Sequence, residues 1–167
     1  MPKRKHSTQL QYIFQRKNYY SYQCGPFAIY NLLIKMNYCI NLYDLIDICN
    51  ANSKEGTVYN KFNYAINKVN KIYNINIKEI EPTMQNICRF IKKTPLIILF
   101  HWVDEINKTD GEHYTIIESI DENNKFKIIN YSFDEHIKFM SYREIKTMLL
   151  PYKKNEEEYP KLWFRSD

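Results

Sequence analysis

The sequence predicts a single α+β domain, on three observations. Apolar residues recur at helical spacing through most of the first ninety positions. The second half then turns to short apolar runs separated by polar turns, and the two patterns do not alternate along the chain. A length of 167 residues suffices for one hydrophobic core and is short for two.

The elements are expected in this order. "TQLQYIF" (8–14) reads as an edge strand or extended lead-in. "GPFAIYNLLIKM" (25–36) carries Phe27, Ile29, Tyr30, Leu32, Leu33 and Met36 and reads as a helix buried on most sides. Pro26 suits its first turn, where a missing N–H costs nothing. "NLYDLIDICN" (41–50) reads as a short helix opened by Asn41. In 56–74, Val58, Phe62, Ala65, Ile66 and Val69 keep helical spacing behind Thr57 as N-cap. Thr83 opens another helix through Ile87, Cys88 and Ile91.

From residue 95 the character changes. "PLIILFHWV" (95–103) has the length of a buried strand, and "HYTIIESI" and "KFKIINYS" follow as strands joined by "DENNK". "HIKFMSY" is a candidate fourth strand. Ser141 and Glu144 form a capping box for a last helix through "IKTMLL". The division expected is a basic flexible tail over 1–8, the domain over 9–150, and a charged tail over 151–167 whose "LWF" aromatics dock on the domain.

Composition narrows the class. Apolar residues make up 44% and aromatics 16%, with 15 tyrosines, which supports a packed core. The net charge of +5 is spread along the chain apart from "PKRKH", so nucleic-acid binding is a weakly supported partner class with no accompanying motif. With no apolar leader and no apolar run long enough to span a membrane, the expectation is a soluble intracellular protein with no membrane span. Its four cysteines, Cys24, Cys39, Cys49 and Cys88, are then reduced, the last three as core residues. Heavy use of Asn, Ile, Lys and Tyr implies AT-rich codons, as in a large DNA virus or an intracellular parasite.

One cysteine stands apart. Cys24 precedes a buried helix, where unpaired N–H groups and the positive end of the helix favour a thiolate. A cysteine nucleophile needs a base, an orienting group and oxyanion donors. Of the four histidines, His6 lies in the tail, His136 in a polar turn and His101 at a strand end; His113, after the flexible "KTDGE", is the preferred base. Asn130, at the end of "KFKIIN", is the orienter, with Asp134 in reserve, because a symmetric hairpin would set His113 opposite residue 133 unless a bulge intervenes. Oxyanion donors are the Cys24 N–H with the side chain of Asn18 or Gln23. No Cys or His pair has metal-ligand spacing, so no metal and no organic cofactor is expected.

The motifs "QCGPFAIYNLL", "GEHYTIIESID" and "FKIINYSFDEH" followed by "SYREI" resemble, in order and rough spacing, the papain-like cysteine peptidases and most of all the C39 peptidase group. The resemblance covers roughly residues 9–150 and implies a papain-like fold with its central helix starting at the cysteine. By position it makes Cys24 the nucleophile, His113 the base and Asn130 the orienter. The family's oxyanion glutamine usually stands six residues before the cysteine, where this chain has Asn18, and its Asp-Pro is here Asn130-Tyr131. The implied substrate is a polypeptide cut through a thioester acyl-enzyme, in this group often after small residues such as a double glycine; ubiquitin-like substrates and viral processing use the same triad. The competing expectation is an inactive papain-like fold kept for binding or as a structural, viral protein. The sequence leaves the oligomeric state open.

Overall fold

The computed structural model describes residues 14, 22–104, 109–132 and 134–166. The lead-in strand expected over 8–14, apart from Phe14, and the basic tail lie outside them.

Among the described residues three helices come first: α1 (Cys24–Lys35), α2 (Leu42–Cys49) and α3 (Tyr59–Tyr73). In α1 the apolar residues run almost all round, and Phe27, Ile29, Leu32 and Leu33 are fully buried. A helix with so little polar face must be enclosed, and α2, α3 and the sheet enclose it. Asn41 caps α2 by accepting from the Tyr43 N–H at 2.9 Å. The N-cap of α3 is Val58 rather than Thr57. The reason is tertiary: the Thr57 hydroxyl donates to the Tyr22 carbonyl at 3.3 Å and ties the start of α3 to the approach of α1.

Next come β1 (Asn76–Ile80), α4 (Met84–Phe90), β2 (Leu96–Asp104), β3 (Thr109–Ile120), β4 (Phe126–Ile129), β5 (Ile137–Met140) and α5 (Tyr142–Met148). Thr83 caps α4 through the Asn86 N–H, and Ser141 with Glu144 closes the expected capping box on α5. The chain ends in β6 (Tyr152–Lys154), β7 (Glu157–Tyr159) and β8 (Lys161–Ser166).

The main sheet has six strands in the order β1-β8-β2-β3-β4-β5, every described pair antiparallel. Residues 161–166, read in the sequence as part of a docking tail, therefore lie inside the sheet between β1 and β2. Trp163 is buried there, and its indole N–H donates to Asn63 of α3 at 3.0 Å. The strand β1, not expected from the sequence, has one buried residue, Ile77. Asn70 of α3 holds it by accepting from the Ile77 N–H at 2.8 Å and donating to its carbonyl at 2.7 Å.

Two apolar clusters lie on the two faces of the sheet. One joins α1, α2 and α3 to Ile97, Leu99, Tyr114, Ile116 and Trp163. The other joins α4 and α5 to Ile98, Phe100, Ile117, Ile128 and Leu162. Alternation along β2 and β3 divides their side chains between the two. The N-terminus of α1 is thereby held against β3 near His113, the helix making most of its sheet contacts with that strand.

Candidate active site

Cys24 is the first residue of α1, and Gln23 is its N-cap without a side-chain capping bond. The first helical bond runs from the Phe27 N–H to the Gln23 carbonyl at 3.1 Å. The N–H groups of Cys24 and Gly25 precede that bond and Pro26 has none, so the free donors of this helix start lie at the cysteine. Gly25 is required by close approach: a Cβ there would lie 2.4 Å from the Thr57 Cγ2.

Cys24 is only 8% exposed. Burial pushes its thiol up to about 11, the Glu112 carboxylate adds to the rise, and the N–H groups of Tyr114, Gly25 and Cys24 oppose it. The Tyr114 contact places the sulfur against β3 beside the residue that follows His113.

His113 is also buried, with Phe100 and Trp102 rings 6.0 and 6.3 Å from its own. Its Nε2 lies 2.7 Å from the carbonyl oxygen of Asn130. Facing a carbonyl, Nε2 must carry the proton, which leaves Nδ1 as the acceptor of the neutral ring. Burial lowers the His113 pKa below its ordinary value, and the bond to Asn130 partly restores it.

Asn130 reaches the histidine through a local irregularity. The β3–β4 register shifts between Ile117 and Ser119. Continued past Ile116↔Ile129, it sets Asn130 opposite Thr115, two residues from His113. The imidazole spans that gap to the main-chain oxygen, so the contact is made by the backbone of Asn130 rather than by its side-chain amide. Asn130 has φ 59°, a left-handed conformation that asparagine tolerates well, and its N–H donates to the His136 carbonyl at 2.6 Å. A polar residue was to be expected there for its side chain; the backbone angle supplies a second reason. Asp134 is exposed in the turn that follows.

Gln23 is buried, with its Oε1 unpartnered among the described residues, while Asn18 lies outside them. Sequence reasoning missed Tyr114, whose contribution is a backbone N–H and leaves no trace in residue type, and Thr57, which fits against Gly25. The described residues hold no cluster of three His, Cys, Asp or Glu side chains placed to bind a metal. None of their helices is long and apolar enough to cross a membrane.

With the thiol raised and the imidazole lowered, each of the two groups is neutral at pH 7 in the substrate-free protein. A thiol near 11 is ionised in roughly one molecule in 10⁴ at that pH. Alkylation of Cys24 by iodoacetamide is therefore expected to rise about tenfold per pH unit between pH 7 and 10. Mass spectrometry of the labelled peptide measures it, and an inflection below pH 7 would show that the resting thiol is ionised instead.

A helix opening on a cysteine and packed on an antiparallel sheet with a buried histidine is the architecture of a papain-like cysteine peptidase. The chain belongs to the Peptidase C39 family, whose model matches residues 9–148, and it is accordingly a cysteine peptidase acting on polypeptide. Its fold is similar to the crystal structure of the peptidase domain of Streptococcus ComA, a bi-functional ABC transporter involved in a quorum-sensing pathway. The TM-score is 0.63 at 14% identity, with 93% of this chain and 98% of that chain covered. No match was found among curated proteins.

Proposed function

We propose that this peptidase cleaves its substrate with Cys24 as nucleophile, His113 as general base and acid, and Asn130 as the group that orients the ring. The observation that carries the reading is the meeting of the α1 N-terminus with β3 at Tyr114, beside a histidine whose Nε2 is already committed to Asn130. As the sulfur attacks the carbonyl carbon, the thiol proton passes to His113 Nδ1 and the C=O electrons move to oxygen. The oxyanion is held by the Cys24 N–H with a side-chain amide from Gln23 or Asn18. Collapse of this intermediate breaks the C–N bond, His113 protonates the departing amine, and a thioester remains. Water, deprotonated by His113, then releases the acid and restores the thiol.

The substrate is a peptide with small residues at the cleavage point, such as a double glycine, a preference taken from the family resemblance. A cleft of about 450 Å³, lined by Tyr131, Tyr152 and the two rings that flank His113, Phe100 and Trp102, among others, suits an apolar side chain of that substrate. The heavy use of Asn, Ile, Lys and Tyr, whose codons are AT-rich, fits a protein of a large DNA virus or an intracellular parasite, acting inside the host cell.

The test is a peptide-library digest followed by kinetics against pH on a cleaved sequence. His113→Ala is expected to lower kcat/KM by about 10³-fold. Because the base must be neutral to accept the thiol proton, wild-type kcat/KM should rise with pH through the lowered His113 pKa, below the ordinary 6.5, and then level off. An acid limb unchanged in the residual activity of His113→Ala would remove His113 from the role.

A further inference from the structure

The opposite end of α1 borders a second cavity, of about 590 Å³, between the turn after α1, the segment after α4, and the strands β1 and β8. Its charged lining consists of Lys35, Lys78, Lys93 and Arg165, with no acidic residue among them. Lys35 is engaged by Glu118 at 2.8 Å. Among the described residues, Lys78, Lys93 and Arg165 form no ion pair, and the Arg165 Nε is buried without a hydrogen-bond partner. A buried guanidinium N–H left unpaired is costly and calls for an acceptor.

The helix end does not oppose an anion as strongly as its dipole alone implies. The carbonyls of Leu32, Leu33 and Ile34 accept from the N–H groups of Met36, Asn37 and Tyr38, so the negative end is partly capped. Phe90 and Phe164, with ring centroids 4.1 Å apart, supply an apolar wall.

We propose that this cavity binds a small molecule carrying two or more phosphoryl groups. One such ligand reaches all three unpaired cations, accepts from the Arg165 Nε, and relieves their mutual repulsion. The concave shape and volume are those of a small-molecule site, whereas a nucleic-acid strand needs an open groove that tracks its backbone. Eleven residues of helix, about 16 Å along its axis, separate Lys35 from Cys24, so the ligand does not touch the reacting atoms.

The test is isothermal titration of the full chain with inorganic tripolyphosphate and with ATP, at 50 and 300 mM NaCl. The expected result is saturable one-to-one binding of both, weaker at the higher salt. Arg165→Gln should weaken it at least tenfold, provided circular dichroism shows the sheet intact. The double variant Lys78→Gln with Lys93→Gln changes two exposed side chains, one of them lying over the Phe164 ring at 5.4 Å, leaves the sequence of β8 unchanged, and should weaken binding as strongly. Lys146→Gln on α5 removes the same type of charge elsewhere and should change affinity by less than twofold. Binding of ATP alone would mark the base as the main determinant and overturn the phosphoryl assignment. So would equal losses in Lys146→Gln and the cavity variants, no saturable binding of either probe, or affinity confined to a single-stranded oligonucleotide.

Discussion

Replacing Cys24 by alanine is expected to lower kcat/KM for peptide hydrolysis by about 10⁴-fold or more while leaving the protein folded. The sulfur is the atom that forms the thioester, so no other group in the proposed site can take over its step. The structural cost is small, because the side chain sits at the edge of the core and loses one atom, an effect of about 1 kcal/mol. Cys49 gives the matched control. It is fully buried in the same apolar cluster, with its thiol pushed up to about 12 by burial and by the nearby Cys24 thiol. Cys49→Ala should lose stability and keep hydrolysis within a few-fold per folded molecule. Circular dichroism and initial rates on the same samples separate the two effects. Retention of more than a tenth of wild-type activity in Cys24→Ala would place the nucleophile elsewhere.

Gly25→Ala should produce the largest loss of stability from a single methyl group. Helix propensity alone predicts a gain of about 1 kcal/mol for alanine over glycine. Packing predicts the reverse, since the new Cβ would lie 2.4, 2.8 and 2.9 Å from the Cγ2, Cβ and Oγ1 of Thr57. Thr57 is buried, and its hydroxyl donates to the Tyr22 carbonyl, so it has little freedom to retreat. The expected net cost is about 1–3 kcal/mol in a urea titration, with hydrolysis reduced as the start of α1 moves off β3. Thr57→Ala removes two of the three clashing atoms and should recover part of the loss when combined with Gly25→Ala, a favourable coupling measurable as a double-mutant cycle. A stabilised Gly25→Ala would mean that the contact between α1 and the start of α3 is loose.

The two variants separate what the Cys-Gly-Pro run contributes. Its cysteine bears on the proposed chemistry, its glycine on the distance between α1 and Thr57, and its proline on a turn in which no N–H is needed. The spacing of these residues was legible because each works through local geometry. The same holds for the Asn41, Thr83 and Ser141 caps, where the accepting side chain and the donating N–H are two or three residues apart. Thr57 departs from that pattern, because a partner 35 residues away takes its hydroxyl.

The site was legible in part for the same reason. Cys24 stands at a helix start that the hydrophobic pattern marks, and His113 at the head of the apolar run inside β3, four residues after that strand begins. The way Asn130 meets His113 was not readable, because it depends on a register shift within the β3–β4 hairpin and on a main-chain oxygen that every residue type possesses. Nor could the protonation of the pair be read: burial moves the Cys24 thiol up and the His113 ring down, and burial belongs to the assembled domain.

By itself, then, the sequence determined the helices α1 to α5, the strands β2 to β5, most of the caps, and the candidates for thiol chemistry, since these follow from periodicity and side-chain type over short separations. Only the tertiary structure decided that residues 161–166 enter the sheet between β1 and β2, that β1 exists, and that Lys78, Lys93 and Arg165 share one cavity. Each of these joins segments more than sixty residues apart, or a short strand with a single buried side chain, and rests on pairing and packing between faces that no local pattern specifies.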